Sequence, residues 1–187
     1  MADNNNVKIK LPKVRLSYPY LFSPYKEGDK YSCKMMLDVN NPEHKKVIAQ
    51  LEKAIKKVAS DKFDKPPKSV LPYGAKCCLI NGDDHDMEDY DGHVIVSASS
   101  KPRPPVVDRH KNPLAEADNV IYAGCFANVT IDLWVMDSPE FGKRVCANLR
   151  AVQFYKDGER FGAKPVDADD EFDVEDDDDF GGDDEEF

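Results

Sequence analysis

The chain has 187 residues, 41% of them hydrophobic, with 26 Lys and Arg against 36 Asp and Glu and a formal net charge of −10. That is enough chain for one domain with a sizeable core, and no run approaches the roughly 20 apolar residues of a membrane helix. Five cysteines, an odd count without a CxxC pair, argue against a disulfide framework and a zinc ribbon; with the polar opening MADNNN, which is no signal peptide, they predict a reduced, cytoplasmic protein without membrane or cofactor.

Val7, Ile9 and Leu11 alternate with Lys8 and Lys10, and Val14, Leu16 and Tyr18 alternate with Lys13, Arg15 and Ser17. Strict alternation is the pattern of a half-buried strand, here with one apolar and one basic face. Pro12 shifts the parity between the two halves, which predicts a bulge. A loop rich in Tyr18, Tyr20, Phe22, Tyr25 and Tyr31 follows. It is either a stacking lip over a groove or a plug for a barrel end. Residues 31–39 alternate again, placing Lys34 opposite Tyr31, Cys33, Met35 and Leu37.

Asn41-Pro42-Glu43 is a helix start, with an asparagine cap, proline at the first helical position and an acid in the first turn. Val47, Ile48, Leu51, Ala54, Ile55 and Val58 continue it at spacings of three and four, and KPPKSVLPYG ends it. A short strand is predicted at Ala75–Ile80. The stretch NGDDHDMEDYDGH then holds six carboxylates and two histidines. It lacks the glycine and the terminal glutamate of a calcium loop, and its histidines are not at i, i+4, so it reads as a solvated acidic loop.

Further strands are predicted at Val94–Ser99, Gly124–Met136 and Arg144–Tyr155, the last turning its Val145, Ala147, Leu149 and Ala151 inward. Between the first two lies SSKPRPPVVDRHKNP, where Lys101, Arg103, Arg109 and Lys111 sit among prolines that keep the chain extended, as a basic arm along a phosphate backbone would be. Five or six mostly antiparallel strands with one helix inserted after the second predict a mainly β fold, a five-stranded OB-fold-like barrel; a β-sandwich would leave similar traces.

The last twenty-one residues, Asp167 to Phe187, hold fourteen acids and no base, so that residues 1–166 carry 26 bases against 22 acids. Such a segment cannot bury enough apolar surface to fold alone. The expectation is a domain over 1–166 and a disordered acidic tail over 167–187, with Phe180, Asp183, Asp184, Glu185, Glu186 and Phe187 as its partner-binding end.

Single-strand binding needs cations along a phosphate track and rings on which bases stack. The outward faces supply Lys8, Lys10, Lys13, Arg15, Lys34, Arg144 and Arg150 as cations, and Tyr20, Phe22, Phe126 and Trp134 as rings. With Lys101, Arg103, Arg109 and Lys111 of the arm they form the candidate nucleic-acid contacts. No nucleophile elbow, phosphate loop or zincin motif occurs, so no catalysis is expected.

In KVRLSYPYLFSPY, YDGHVIVSASSKPRPPVVD, YAGCFANVTIDLW and LRAVQFYKDGERFG the chain resembles phage-encoded single-stranded DNA-binding proteins, an OB-fold family formerly a domain of unknown function. The resemblance implies coating of single strands without sequence preference in phage DNA replication, recombination or repair. It also implies a tail that docks onto replication proteins such as a polymerase or helicase and competes with DNA. Oligomeric state stays open, a homo-oligomer included. Two other readings remain: an acidic interaction protein (a DNA mimic or basic-protein chaperone), and a metal-dependent nuclease using the carboxylates of residues 83–91.

Overall fold

The computed structural model describes residues 7–161. Five strands form a closed barrel: β1 (Val7–Tyr20), β2 (Tyr31–Asp38), β4 (His93–Ser100), β6 (Phe126–Ser138) and β7 (Gly142–Lys156). Two short strands, β3 (Leu79–Asn81) and β5 (Val106–Val107), flank them, giving the order β3-β4-β2-β1-β6-β7-β5. The barrel closes where β4 runs parallel to β7, with Ala98 beside Ala147 and Ser99 beside Asn148. Small side chains on both strands suit that close seam, and closure removes the free edges an open sheet would expose.

The alternation in β1 has the expected outcome as far as Leu16, but Ser17, expected outward, is buried and Tyr18, expected inward, is exposed. Ile9, Leu11, Val14 and Leu16 are buried, while Lys8, Lys10 and Lys13 face out. Pro12 and Lys13 together oppose Asn128, one residue too many, and this bulge resets the parity. In β6 the inward set is Ala127, Val129, Ile131 and Leu133.

Two expectations need correction. The predicted strand Ala75–Ile80 shrinks to Leu79–Asn81, because residues ahead of it bond to β7 instead: Cys77 bridges Val145 in parallel. In β7, Ala151 is not the next inward residue after Leu149. Arg150 is an extra residue between the pairs Ile131–Leu149 and Thr130–Ala151, so the parity flips and Val152 takes the buried place.

Helix α1 (Pro42–Lys62) connects β2 to the rest of the barrel, and Asn41 caps it by accepting from the N–H groups of Glu43 and His44. Its buried stripe of Val47, Leu51, Ala54, Ile55 and Ala59 joins the barrel core. His44, also buried, ties three elements together. Its Nδ1 accepts from the Asp38 N–H at 2.9 Å and its Nε2 donates to the Pro12 carbonyl at 2.9 Å, which fixes the neutral tautomer. His44→Ala removes the partner of two part-buried backbone groups and should lower the unfolding free energy by about 1–3 kcal/mol, read as a drop in denaturation midpoint at unchanged m-value.

Candidate nucleic-acid interface

A trough of about 760 Å³ lies on the outer face of β2 and β4, lined among others by Tyr18, Tyr20, Tyr25, Lys30, Lys34, His85 and Met87. Its upper lip is the end of β1 and the loop that follows. There a second bulge, with Tyr18 and Pro19 opposite Cys33, turns Tyr18 outward at φ 47°. Tyr20 and Tyr25 pack with their centroids 5.2 Å apart, tilted by 59°. Tyr25 is 66% exposed and Tyr18 47%, unusual for rings that a fold could bury. Lys34 places its Nζ 5.8 Å from the Tyr18 centroid.

The segment divides its apolar residues between the core and the trough. Leu21 is buried and Phe22 packs on the barrel core, so these two plug the barrel end. The tyrosines instead face the trough.

The opposite wall is the acidic stretch after β3. It folds as two 3-10 turns, Gly82–Asp84 and Glu88–Tyr90, with Asp83 accepting from the Gly92 N–H at 2.8 Å. Tyr90 nails it down: the ring is fully buried against Met36 and Ile95, and its hydroxyl lies 2.8 Å from that of Ser17. Burial raises the Tyr90 hydroxyl above its usual value, and the Ser17 hydrogen bond opposes that only in part. His85 and Met87 face the trough, while Asp84, Asp86 and Glu88 lie exposed between and beside them. The cations of the trough, Lys30 and Lys34, lie on the other side, with Asp29 among them.

The trough runs on into a second, more polar hollow of about 320 Å³ across the β4–β7 seam. Ser97 lines both; Lys76, Cys77, Ser99, Arg144 and Cys146 are among the other residues that line the second. Burial pushes the Cys146 thiol up, against the positive charges of Arg144 and Lys30. Trp134 is the cross-strand partner of Cys146, which places it beside this hollow on the same outer face.

Other candidates lie elsewhere. Arg15 is committed within the protein. It donates to the carbonyls of Gly124 at 3.2 Å and Glu159 at 2.6 Å, and its guanidinium sits 4.1 Å from the Phe161 centroid. Phe126 lies between Arg15 and Lys156 and against Gly158, where a Cβ would strike its ring. Phe161 in turn packs on the Met36–Tyr90–Ile95 cluster. These contacts strap residues 157–161 across β1 to the edge of the trough. Gly124 permits the crossing: it has φ +108°, and a Cβ there would collide with the Glu159 carbonyl.

Arg150 pairs with the buried Asp132 at 2.9 Å. Arg103 stacks on Phe22, 5.2 Å from its centroid. Lys8, Lys10, Lys101 and Lys111 are exposed. Lys13 and Arg109 converge on Tyr155, 5.5 and 5.1 Å from its centroid. The six tail positions, Phe180, Asp183, Asp184, Glu185, Glu186 and Phe187, lie outside the described residues. Tyr18, Tyr25 and Lys30 line the trough and Lys76 lines the second hollow; none of the four was among the sequence candidates. The aromatic density of the loop pointed to the two tyrosines; nothing in the sequence pointed to Lys76, which reaches the site only through its pairing with β7.

The family described as the single-stranded DNA-binding protein of Enterobacter phage Enc34 matches residues 7–181. The chain belongs to this family. A relative from Acyrthosiphon pisum secondary endosymbiont phage 1, putative protein p50, is 35% identical over 173 residues, spanning 89% of this chain and 93% of the relative. The bacteriophage Enc34 protein solved in complex with single-stranded DNA superposes with a TM-score of 0.73 at 28% identity, covering 87% of this chain and 96% of that one. A single-stranded DNA-binding protein of bacteriophage T7, gp2.5, superposes at 0.55 with 16% identity over 90% of this chain and 96% of that one, a likeness of fold.

Tyr90→Phe leaves the buried Ser17 hydroxyl without its partner. It should cost about 1–3 kcal/mol and raise amide exchange in residues 83–91 ahead of the barrel strands, measured by native-state hydrogen exchange.

Proposed function

We propose that the protein binds single-stranded DNA without sequence preference along the trough, in phage DNA replication, recombination or repair within the host cytoplasm, and that it does so without catalysing a reaction on the strand. The observation that carries this reading is the trough itself. Exposed tyrosines and lysines share one concave face of a barrel whose family includes a protein solved on single-stranded DNA.

The chemistry follows from the two walls. Phosphates lie along Lys30, Lys34, Lys76 and Arg144, where cations release the counterions that drive binding. Bases turn toward Tyr18, Tyr20, Tyr25 and Met87, whose faces accept any base because stacking does not read hydrogen-bond edges. The exposed acids beyond Met87 repel a backbone laid the other way round.

The acidic tail acts as an internal competitor and as the arm that recruits replication proteins, with Phe187 as its apolar anchor. Its fourteen acids oppose a body with an excess of bases, and the chain reaches the trough edge at Phe161 before the tail begins.

Tyr20→Ala and Lys34→Ala test the trough. Loss of a stacking ring costs about 1–3 kcal/mol, so Tyr20→Ala should weaken oligo-dT binding about 5- to 150-fold at every salt concentration. Lys34→Ala should instead flatten the dependence of log affinity on log salt, by roughly 0.7 for one lost phosphate contact. Affinities equal to wild type for both variants would remove the trough as the site.

Deleting residues 167–187 should tighten oligo-dT binding in low salt, with the gain shrinking as salt screens the tail. Unchanged or weaker low-salt binding in a titration of the truncated protein would end the competitor reading.

A further inference from the structure

Away from the trough, at the far end of β7, a second cationic surface is assembled with more structure than a solvated face requires. Tyr155 is an extra residue in β7, between the pairs Ala127–Phe154 and Phe126–Lys156. Lys13 belongs to the bulge of β1 and holds φ 52°. Bulges re-aim side chains and are often found beside functional sites. Here two of them, on strands either side of β6, bring Lys13 and Tyr155 together.

A third element completes the patch. Asp108 builds the turn after β5, its carboxylate accepting from the backbone N–H groups of His110 at 2.8 Å and Asn112 at 2.9 Å and from the Asn112 side chain at 3.0 Å. These bonds hold the Asp108 carboxyl below its ordinary value. The turn fixes Arg109 over Tyr155 and carries Lys111 at φ 68°. A non-glycine residue in the left-handed region costs on the order of 1 kcal/mol or more. Two lysines hold it in this one patch.

A relay of hydrogen bonds joins the parts. The Lys13 N–H donates to Asn128 Oδ1 at 3.0 Å, Asn128 Nδ2 donates to Gln153 Oε1 at 3.2 Å, and Gln153 Nε2 donates to the Arg109 carbonyl at 3.4 Å. Both basic residues are thus set by the same pair of amides. Of the acids nearby, Asp108 is engaged in its turn, while Glu43 pairs with Lys13 at 3.6 Å across an exposed gap, a contact that a phosphate would displace. Tyr155, flanked by Lys13 and Arg109, serves as their support and not as a base platform.

We infer that this patch is a second docking site for the phosphate backbone of a single strand, so that a strand leaving the trough is drawn over the barrel to Lys13, Arg109 and Lys111. The inference rests on the trough reading and extends it. From Arg144 to Tyr155 is eleven residues of β7, roughly 36 Å of strand at ~3.3 Å each, so a short strand fills one site and only a longer one reaches both.

The test compares oligo-dT of about 4 nucleotides, the lower end of OB-fold site sizes and too short to span both sites, with one of about 30. The triple variant Lys13→Ser, Arg109→Ser, Lys111→Ser should bind the short strand within about twofold of wild type and the long strand about tenfold more weakly, its salt slope smaller by roughly 2 for three lost contacts. Gln153→Ala, which keeps every charge, should give a smaller loss on the long strand only. Equal loss on both lengths, or none on either, overturns the second site. Lys34→Ala is the control for the trough: no effect of it on the short strand strikes the trough reading whatever the triple variant does.

Discussion

The parallel pairing of β4 with β7 is the contact on which the rest of the architecture turns. It is short, Ala98 with Ala147 and Ser99 with Asn148, yet it converts a strip of antiparallel strands into a closed barrel. Parallel pairing needs a crossover, because a tight turn can only return the chain antiparallel. The chain meets that demand with the Pro-rich segment after β4, the β5 pairing and the long hairpin of β6 and β7. Closure also gives the outer surface its layout. The seam carries the polar hollow, and β2 beside it carries the aromatic trough.

Bulges then decide where individual side chains go. An extra residue at Pro12–Lys13, at Tyr18–Pro19, at Arg150 and at Tyr155 re-aims its neighbourhood. At Tyr18 the effect is to turn a ring into the trough. At Arg150 it brings a guanidinium onto the buried Asp132. The same covalent sequence with a regular β7 would have placed Ala151 inside and Val152 outside, a waste of apolar area in a core of this size.

What could be read from the residues follows from where the signals are local. The first strand as far as Leu16, the parity change at Pro12 and the Asn41 cap all rest on neighbours a few positions apart, and they survive; beyond Leu16 the pattern breaks, with Ser17 buried and Tyr18 turned out. The flip in β7 has no local cause. It depends on how many residues β6 offers opposite, and no periodicity in Arg144–Tyr155 announces it. The site divides in the same way. Tyr20 and Lys34, both named from the sequence, line the trough, because a ring at the end of a strand and a lysine on a polar face are visible as such. Arg15 and Phe126 look identical in sequence to free contacts, and only the return of residues 157–161 over β1 shows that they hold the chain's own backbone. Lys76 entered through a bridge to β7 that joins residues nearly seventy positions apart.

The thiol inventory has a practical consequence. All five cysteines are free, and Cys146 alone is not buried. It lies in the polar hollow with Arg144, one strand pairing away from Trp134. The molecule therefore carries a natural attachment point for a probe at the barrel seam. Burial slows alkylation there by disfavouring the thiolate, and whatever covers the hollow would slow it further. The rate of a simple thiol reagent becomes a footprint of that seam, read without altering a single residue.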